Sequence, residues 1–200
     1  MIDRLAKFGI PVELPKIGLV GLSRTGKGTA AKYLEENFGF VSFTMSDVIR
    51  EYAKANDITL SRKPDFWATR NRMNEIFGED YLLAETLKNL GLKYQANPEQ
   101  VKGIVIDGIR DTRNALNLKD LPTSLLLALI SNDELRHQRK RADRAEDFTK
   151  FADFLADEAD ERAVIEPIYP HAFAIINNGP EDHFKKLIRT TVMTQFGQIR

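Results

Sequence analysis

Short apolar runs alternate with longer helix-forming stretches along most of the 200-residue chain. Because apolar runs separated by helices are typical of βαβ units, the pattern predicts a parallel sheet that is buried on both faces. This is a three-layer α/β/α arrangement with a five-stranded parallel sheet. The predicted strands are residues 17–20, 40–44, 103–107, 124–130 and 172–176.

The helical piece between the second and third strands is too long for a plain crossover, so it predicts an inserted subdomain over residues 45–100. Residues 1–16 are expected to form a short surface extension, which leaves residues 17–200 as a single domain. The predicted helices are residues 29–38, 46–56, 65–77, 79–90, 133–144, 147–163 and 180–194.

Composition narrows the class of protein without naming a reaction. Lys and Arg number 29 and Asp and Glu also number 29, and this balance argues against coating nucleic acid by bulk attraction. No run reaches the roughly 18 apolar residues of a membrane span. The absence of cysteine excludes a disulfide framework, a thiolate zinc site and a cysteine nucleophile. We expect a cytoplasmic protein with no nucleic-acid or membrane partner, and the oligomeric state stays open.

The strongest chemical signal is the segment GLSRTGKGT, which we call the phosphate loop (residues 21–29). It fits G-x-x-x-x-G-K between an apolar strand and a helix, where backbone N–H groups form an anion-binding nest. Lys27 would reach the β- and γ-phosphates of a nucleotide. Gly28 follows Lys27, so the hydroxyl that usually comes next is one place later, and Thr29 becomes the candidate near magnesium. The candidate nucleotide contacts are Gly21, Ser23, Arg24, Thr25, Gly26, Lys27, Gly28 and Thr29.

Three segments resemble nucleoside monophosphate kinases such as adenylate kinase, and they occur in that family's order. The first is the GKGT ending of the phosphate loop. TMSDVIRE, residues 44–51, resembles the segment that carries a Thr, an Asp and an Arg around the acceptor phosphate. IDGIR, residues 106–110, resembles the Asp-Gly-Phe-Pro-Arg signature, but it lacks the proline and is one residue shorter.

The chain more closely resembles the dephospho-CoA kinase-like branch, over residues 16–188. Shared features are the Asp-Gly-Ile-Arg segment, the arginine-rich stretch LRHQRKRADRAED with the acidic FLADEADER after it, and the late IINNGPEDHF. The resemblance implies a P-loop kinase fold that uses ATP and Mg²⁺. It also implies a small acceptor, either a nucleoside or deoxynucleoside monophosphate or a phosphorylated metabolite similar to dephospho-CoA.

Two carboxylates are candidates for the chemistry. Asp107 ends the third strand beside the phosphate loop, where a carboxylate can hold Mg²⁺, although Asp-Gly is also a common turn pair. The resemblance gives Asp47 two possible roles, as general base for an acceptor hydroxyl or as an organiser of the metal's waters. A plain helix cap is an equally good interpretation of Asp47 and is compatible with both.

Arginines are the candidates for gripping the acceptor's phosphate, because guanidinium groups bind phosphate oxygens bidentately. Arg50 lies three residues after Asp47, on the same helix face, and Arg110 ends the IDGIR segment. Thr44 joins them through the matched motif. In the insertion, Phe66, Trp67, Arg70, Arg72 and Met73 could wall the acceptor pocket, although core packing of Trp67 is an equal alternative.

The densest basic cluster predicts a lid, over residues 133–162, that closes on the triphosphate and excludes water. Arg136 and Arg139 are the first candidates for phosphate contact, and Arg144 is the next. The alternative is a solvated helix with interleaved ion pairs. The acidic stretch after this cluster is expected to be a solvated helix face.

Together these features predict a P-loop kinase of the nucleotide-kinase type, with Lys27, Asp47, Arg110, Arg136 and Arg139 as the catalytic residues. A nucleotide-binding switch or regulatory ATPase with little or no kinase activity is the alternative. A nucleic-acid-linked ATPase fits the neutral charge balance less well.

Overall fold

The computed structural model describes residues 2–61, 63–143 and 150–197. The five predicted strands are all present in one parallel sheet with the order β2-β3-β1-β4-β5. Their bounds are β1 Lys16–Val20, β2 Phe40–Thr44, β3 Gly103–Asp107, β4 Ser124–Ile130 and β5 Phe173–Ile176.

Helices cover both faces of the sheet, as the predicted three layers require. Within the described residues all seven predicted helices are present, and two further helices, α1 (Ile2–Lys7) and α6 (Thr112–Lys119), were not predicted. A 3₁₀ helix, Glu166–His171, also precedes β5. The helix bounds are α1 Ile2–Lys7, α2 Lys27–Phe38, α3 Met45–Ala55, α4 Lys63–Phe77, α5 Tyr81–Ala96, α6 Thr112–Lys119, α7 Asp133–Asp143, α8 Phe151–Ile165 and α9 Glu181–Phe196.

Alternation along β1 separates two cores, because successive side chains of a strand point to opposite faces. Ile17 and Leu19 pack with residues of α2 and α9 on one face. Val20 packs on the other face with residues of the insertion, which comprises α3, α4 and α5. Since β1 lies between β3 and β4, the loop after β1 leaves the middle of the sheet with neighbours on both sides.

Residues 2–16 differ from the surface extension that was predicted for residues 1–16. The side chains of Leu5 and Ile10 are buried and belong to the same core as the insertion. A Cβ on Gly91 of α5 would lie 2.3 Å from the Phe8 carbonyl oxygen, so the two backbones are in close contact. The segment therefore packs as part of the domain, and the amphipathic helix α1 is too short for its periodicity to stand out in the sequence.

None of the helices in the described ranges combines the length and the apolar character that crossing a bilayer demands.

Candidate functional site

The phosphate loop joins the end of β1 to the start of α2, as predicted. Two of its glycines have positive φ angles, 154° at Gly21 and 102° at Gly26. A Cβ on Gly21 would lie 2.5 Å from the Leu129 carbonyl oxygen, and one on Gly26 would lie 2.5 Å from Asn177 Nδ2. Both backbone geometry and close packing therefore require glycine at these positions. A Cβ on Gly28 would meet open space instead.

A cleft of about 670 Å³ lies over this loop, and we call it the phosphate-loop cleft. It brings together residues from distant parts of the sequence that were predicted as site residues. Gly21, Thr25 and Arg136 were also predicted, but they are not among the lining residues, and Arg144 lies outside the described residues. The predicted site residues that line the cleft are Ser23, Arg24, Gly26, Lys27, Gly28, Thr29, Asp107, Arg110 and Arg139.

Lys27 is the first residue of α2, and its ammonium lies against the phosphate loop. Lys27 Nζ donates to the carbonyl oxygens of Gly21 at 2.7 Å and Leu22 at 3.0 Å. Burial lowers the pKa of Lys27, while the nearby Asp107 opposes that shift. The ammonium is thus desolvated beside an open cleft, where a polyanion would stabilise its charge.

Asp107 ends β3 directly beside the loop, because its Cα pairs with that of Leu19 on β1. Its side chain is 7% exposed, and Thr44 Oγ1 donates to Oδ2 at 3.4 Å. Asp107 Oδ1 is buried without a hydrogen-bond partner among the residues described. Burial raises the pKa of Asp107, and the Lys27 ammonium acts against this rise. A buried carboxylate oxygen without a partner fits a hard cation such as Mg²⁺, and the Thr29 hydroxyl lines the same cleft.

Arg110 lines the phosphate-loop cleft and also a second cavity of only about 20 Å³. Its Nη2 lies 3.0 Å from Glu161 Oε1, and the Nζ of Lys63 lies 3.0 Å from the other oxygen of that carboxylate. Burial acts to raise the pKa of Glu161, but Arg110 and Lys63 outweigh it, so the net shift is downward.

The acidic stretch of α8 is not the uniformly solvated face that the sequence suggested. Glu158 is 0% exposed and Glu161 is 1% exposed. The sequence reasoning missed both residues, because their cationic partners Arg136, Arg110 and Lys63 lie elsewhere in the chain. Burial of a carboxylate is favourable here only because each one is paired.

The two leading lid arginines occupy different environments. Arg136 is 0% exposed, is paired with Glu158 and Asp133, and donates to the Ser23 carbonyl oxygen at 3.0 Å. This placement is at odds with the predicted phosphate contact of Arg136, because the side chain is fully buried and does not line the cleft. Arg139 does line the cleft, and it donates to the Arg24 carbonyl oxygen at 3.0 Å.

The predicted acceptor residues are only partly brought together. Arg50 and Asp47 form an exposed ion pair at 2.5 Å, and neither lines the second cavity. Arg70 does line it, together with Arg110 and Phe66. The guanidinium carbons of Arg70 and Arg110 lie 5.1 and 5.6 Å from the centre of the Trp67 ring. Trp67 is half-buried between two arginines, which argues against the core-packing alternative for this residue.

The chain matches a known protein family over most of its length. The family model described as an AAA domain matches residues 17–164. The chain belongs to the AAA domain family. Adenylate kinase from Malacoplasma penetrans (strain HF-2) is 27% identical to this AAA domain protein over 93 residues, which is 46% of this chain. The match spans 39% of that relative's length.

Solved kinases share the fold over most of the chain. Shikimate kinase from Acinetobacter baumannii, solved in complex with shikimate, superposes with a TM-score of 0.52 at 19% identity and covers 92% of this chain and 96% of its own. Shikimate kinase from Bacteroides thetaiotaomicron gives a TM-score of 0.53 at 15% identity, over 89% of this chain and 98% of its own. The predicted membership of the P-loop nucleotide kinase superfamily and the predicted fold are confirmed. The closer likeness to dephospho-CoA kinases stays a prediction.

Proposed function

We propose that this protein is an ATP- and Mg²⁺-dependent kinase that transfers the γ-phosphoryl group to a small phosphorylated acceptor. The acceptor is a nucleoside or deoxynucleoside monophosphate, or a metabolite similar to dephospho-CoA. One observation carries the proposal. A single cleft contains the phosphate loop, the desolvated Lys27, the carboxylate of Asp107 with its unpartnered oxygen, and Arg110, which also lines a second cavity.

On the donor side, the phosphate loop binds the polyphosphate through its N–H groups and the N-terminus of α2. Lys27 exchanges its two loop carbonyls for β- and γ-phosphate oxygens, and Arg139 closes over the phosphates from α7. Thr29 and Asp107 would hold Mg²⁺, which supplies charge neutralisation at the phosphates when it is bound. Because phosphoryl transfer needs little covalent chemistry from the protein, positioning and charge neutralisation carry the rate.

On the acceptor side, Arg110 and Arg70 bind the acceptor's phosphate. Burial lowers the pKa of Arg70, and the charge of Arg110 adds to that shift, so an anion between the two guanidinium groups would relieve both effects. Thr44 and the Asp47–Arg50 pair lie at the start of α3, where they would meet the acceptor's reacting end once Arg50 turns toward its phosphate. The names adenylate kinase and shikimate kinase support a small-molecule acceptor, and adenylate kinase supports a phosphorylated one.

The test is a transfer assay with [γ-³²P]ATP, Mg²⁺ and a panel of acceptors. The panel contains ribo- and deoxynucleoside monophosphates, dephospho-CoA and shikimate, and the Lys27→Met variant serves as the inactive control. Label on a phosphorylated panel member, absent with the variant, is the expected result. Tight ATP binding without transfer to any member would contradict the kinase and favour the nucleotide-binding switch. Label on shikimate alone would contradict the phosphorylated acceptor class.

A further inference from the structure

The carbonyl oxygens of the phosphate loop are all engaged by side-chain donors from residue 21 to residue 25. Lys27 Nζ binds the first two, at Gly21 and Leu22. The next three carbonyl oxygens are each bound by a donor from outside the loop. Arg136 binds that of Ser23 at 3.0 Å, Arg139 binds that of Arg24 at 3.0 Å, and Asn177 Nδ2 binds that of Thr25 at 2.9 Å.

The direction of these three bonds fixes the direction of the N–H groups that follow. In a trans peptide the C=O and the next N–H point to opposite sides, and the described chain contains no cis peptide. A donor that holds a carbonyl oxygen therefore orients the N–H of the same peptide away from that donor. A phosphate nest needs this orientation, because it must be present before the anion arrives to avoid a reorganisation cost.

Asn177 is the donor of this set that the sequence reasoning did not single out. It follows β5, its side chain is 5% exposed, and it lies in the wall of the phosphate-loop cleft. Backbone groups already fix its position, because its N–H donates to the Ile130 carbonyl oxygen at 2.7 Å and its own carbonyl accepts from Ser131 Oγ at 2.6 Å. The side-chain amide of Asn177 has two contacts: Nδ2 donates to the Thr25 carbonyl oxygen, and Oδ1 accepts from Arg139 Nη2 at 3.4 Å.

We propose that Asn177 is a positioning residue for the phosphate loop: it holds the peptide between Thr25 and Gly26 with the Gly26 N–H directed toward bound phosphate. Arg136 holds the peptide between Ser23 and Arg24, and Arg139 holds the peptide between Arg24 and Thr25. This gives the buried Arg136 a role in anion binding without direct contact with the anion. The inference rests on the proposed function only in that the loop binds a polyphosphate, and it does not depend on transfer to an acceptor.

Asn177→Ala is the first test variant, because it removes the donor and adds no charge. Asn178→Ala is the matched control, since Asn178 is the exposed neighbour whose Oδ1 accepts from the Asn132 N–H at 2.8 Å. Binding is measured by calorimetry with inorganic tripolyphosphate and with ATP. Losing the orientation of one N–H that binds a charged oxygen should weaken tripolyphosphate binding about tenfold in Asn177→Ala. Asn178→Ala should bind as wild type does.

Asn177→Asp is the second variant, because it keeps the side chain's size and replaces the donor with an acceptor. We expect it to bind tripolyphosphate more weakly than Asn177→Ala, while Asn178→Asp controls for the added charge. A role in packing alone would lower the melting temperature and leave the ATP KM unchanged. The proposed role raises the ATP KM and leaves the acceptor KM unchanged.

Three outcomes would overturn the inference. They are wild-type affinity in both Asn177 variants, equal weakening in the Asn178 variants, and the absence of tripolyphosphate binding by the wild-type protein. A wild-type protein that transfers no phosphoryl group would overturn the proposed function alone. If its tripolyphosphate affinity still fell in Asn177→Ala, the inference on the loop would stand.

Discussion

Two lysines donate to backbone carbonyls in the same way, but Lys16 is buried and Lys27 is only partly buried. Lys16 begins β1, and its Nζ donates to the carbonyl oxygens of Val12 at 2.5 Å and Leu14 at 2.6 Å. Lys27 begins α2 and likewise donates to two carbonyls, those of Gly21 and Leu22. Burial lowers the pKa of both, to about 8 for Lys16, where Glu13 opposes the shift.

What differs is whether the ammonium can reach another anion. Lys16 is 0% exposed, and its carbonyl partners belong to the N-terminal segment that packs into the core. Lys27 faces a cleft of about 670 Å³ that also contains Asp107 and Arg110. The two hydrogen bonds of Lys16 therefore anchor the fold, whereas phosphate oxygens can replace the two carbonyl partners of Lys27. Desolvation of a lysine does not by itself indicate a functional site, whereas a cleft beside the ammonium that could hold an anion does.

The largest expected effect separates the two lysines directly. Lys27→Met should lower kcat/KM for phosphoryl transfer about 10³-fold, or about 4 kcal/mol, because it removes a positive charge at the transferring phosphate. Lys16→Met should leave kcat/KM near the wild-type value. Steady-state kinetics with thermal melting as a folding control makes the measurement. A comparable loss of activity in both variants would remove the distinction between the two sites.

A second prediction compares two arginines that the sequence assigned to the acceptor's phosphate, Arg110 and Arg50. Arg110→Ala should raise the acceptor KM about thirtyfold, because Arg110 is partly buried and lines both cavities. Arg50→Ala should raise it only a few-fold, because Arg50 is exposed and paired with Asp47. In both variants the ATP KM should change less than the acceptor KM. Equal changes in the two KM values for Arg50→Ala would place Arg50 outside the acceptor site.

A third prediction concerns the buried carboxylate that holds Arg110. Glu161→Gln should lower the free energy of unfolding by about 1–2 kcal/mol at pH 7, because Arg110 and Lys63 lose their shared partner and can only partly regain solvent. Asp160→Asn, an exposed change on the same helix, is the control. Inorganic phosphate should raise the melting temperature of Glu161→Gln more than that of wild type, since an anion can replace the lost carboxylate.

The pH dependence of this difference has a definite sign. The pKa of Glu161 in the folded protein lies below its ordinary value of 4.5, so the ionised carboxylate stabilises the fold above about that pH. The gap between wild type and Glu161→Gln should shrink as pH falls below 4.5. A gap that widens on acidification would contradict the pairing of Glu161 with the two cations.

The last prediction concerns the other lysine. Because the folded pKa of Lys16, about 8, lies below its unfolded value of 10.5, the unfolded chain binds more protons between these values. The free energy of unfolding should therefore rise with pH across this window in wild type. Denaturant unfolding at several pH values should show a smaller rise in Lys16→Met. Identical slopes in the two proteins would mean that Lys16 is not desolvated.

Those parts of the fold and the site that depend on contiguous residues could be predicted from the sequence. Five apolar runs gave the strands, and the phosphate loop was recognised because its glycines, Lys27 and flanking elements are adjacent in the chain. For α6, a local signal existed that the prediction did not use: Asp111 accepts from the Asn114 N–H at 2.9 Å as a helix N-cap.

Residues that act through distant partners were beyond the reach of a single sequence. Glu161 and Glu158 lie in a run of acids that is typical of a solvated helix, and only the fold places cations beside them. Asn177 reaches Thr25 across 152 positions of sequence. Arg136 and Arg139 occur three residues apart in one basic cluster. The Arg136 side chain is nevertheless fully buried, whereas Arg139 lines the phosphate-loop cleft.

The most direct test of this account is a calorimetric titration of ATP with Mg²⁺ into wild type, Lys16→Met and Lys27→Met at one pH. If the phosphate-loop cleft is the nucleotide site, wild type and Lys16→Met should bind one ATP with similar affinity. Lys27→Met should bind about a hundredfold more weakly, because it loses a desolvated charge that phosphate would neutralise. Undiminished ATP affinity in Lys27→Met, or an equal loss in Lys16→Met, would contradict the central claim.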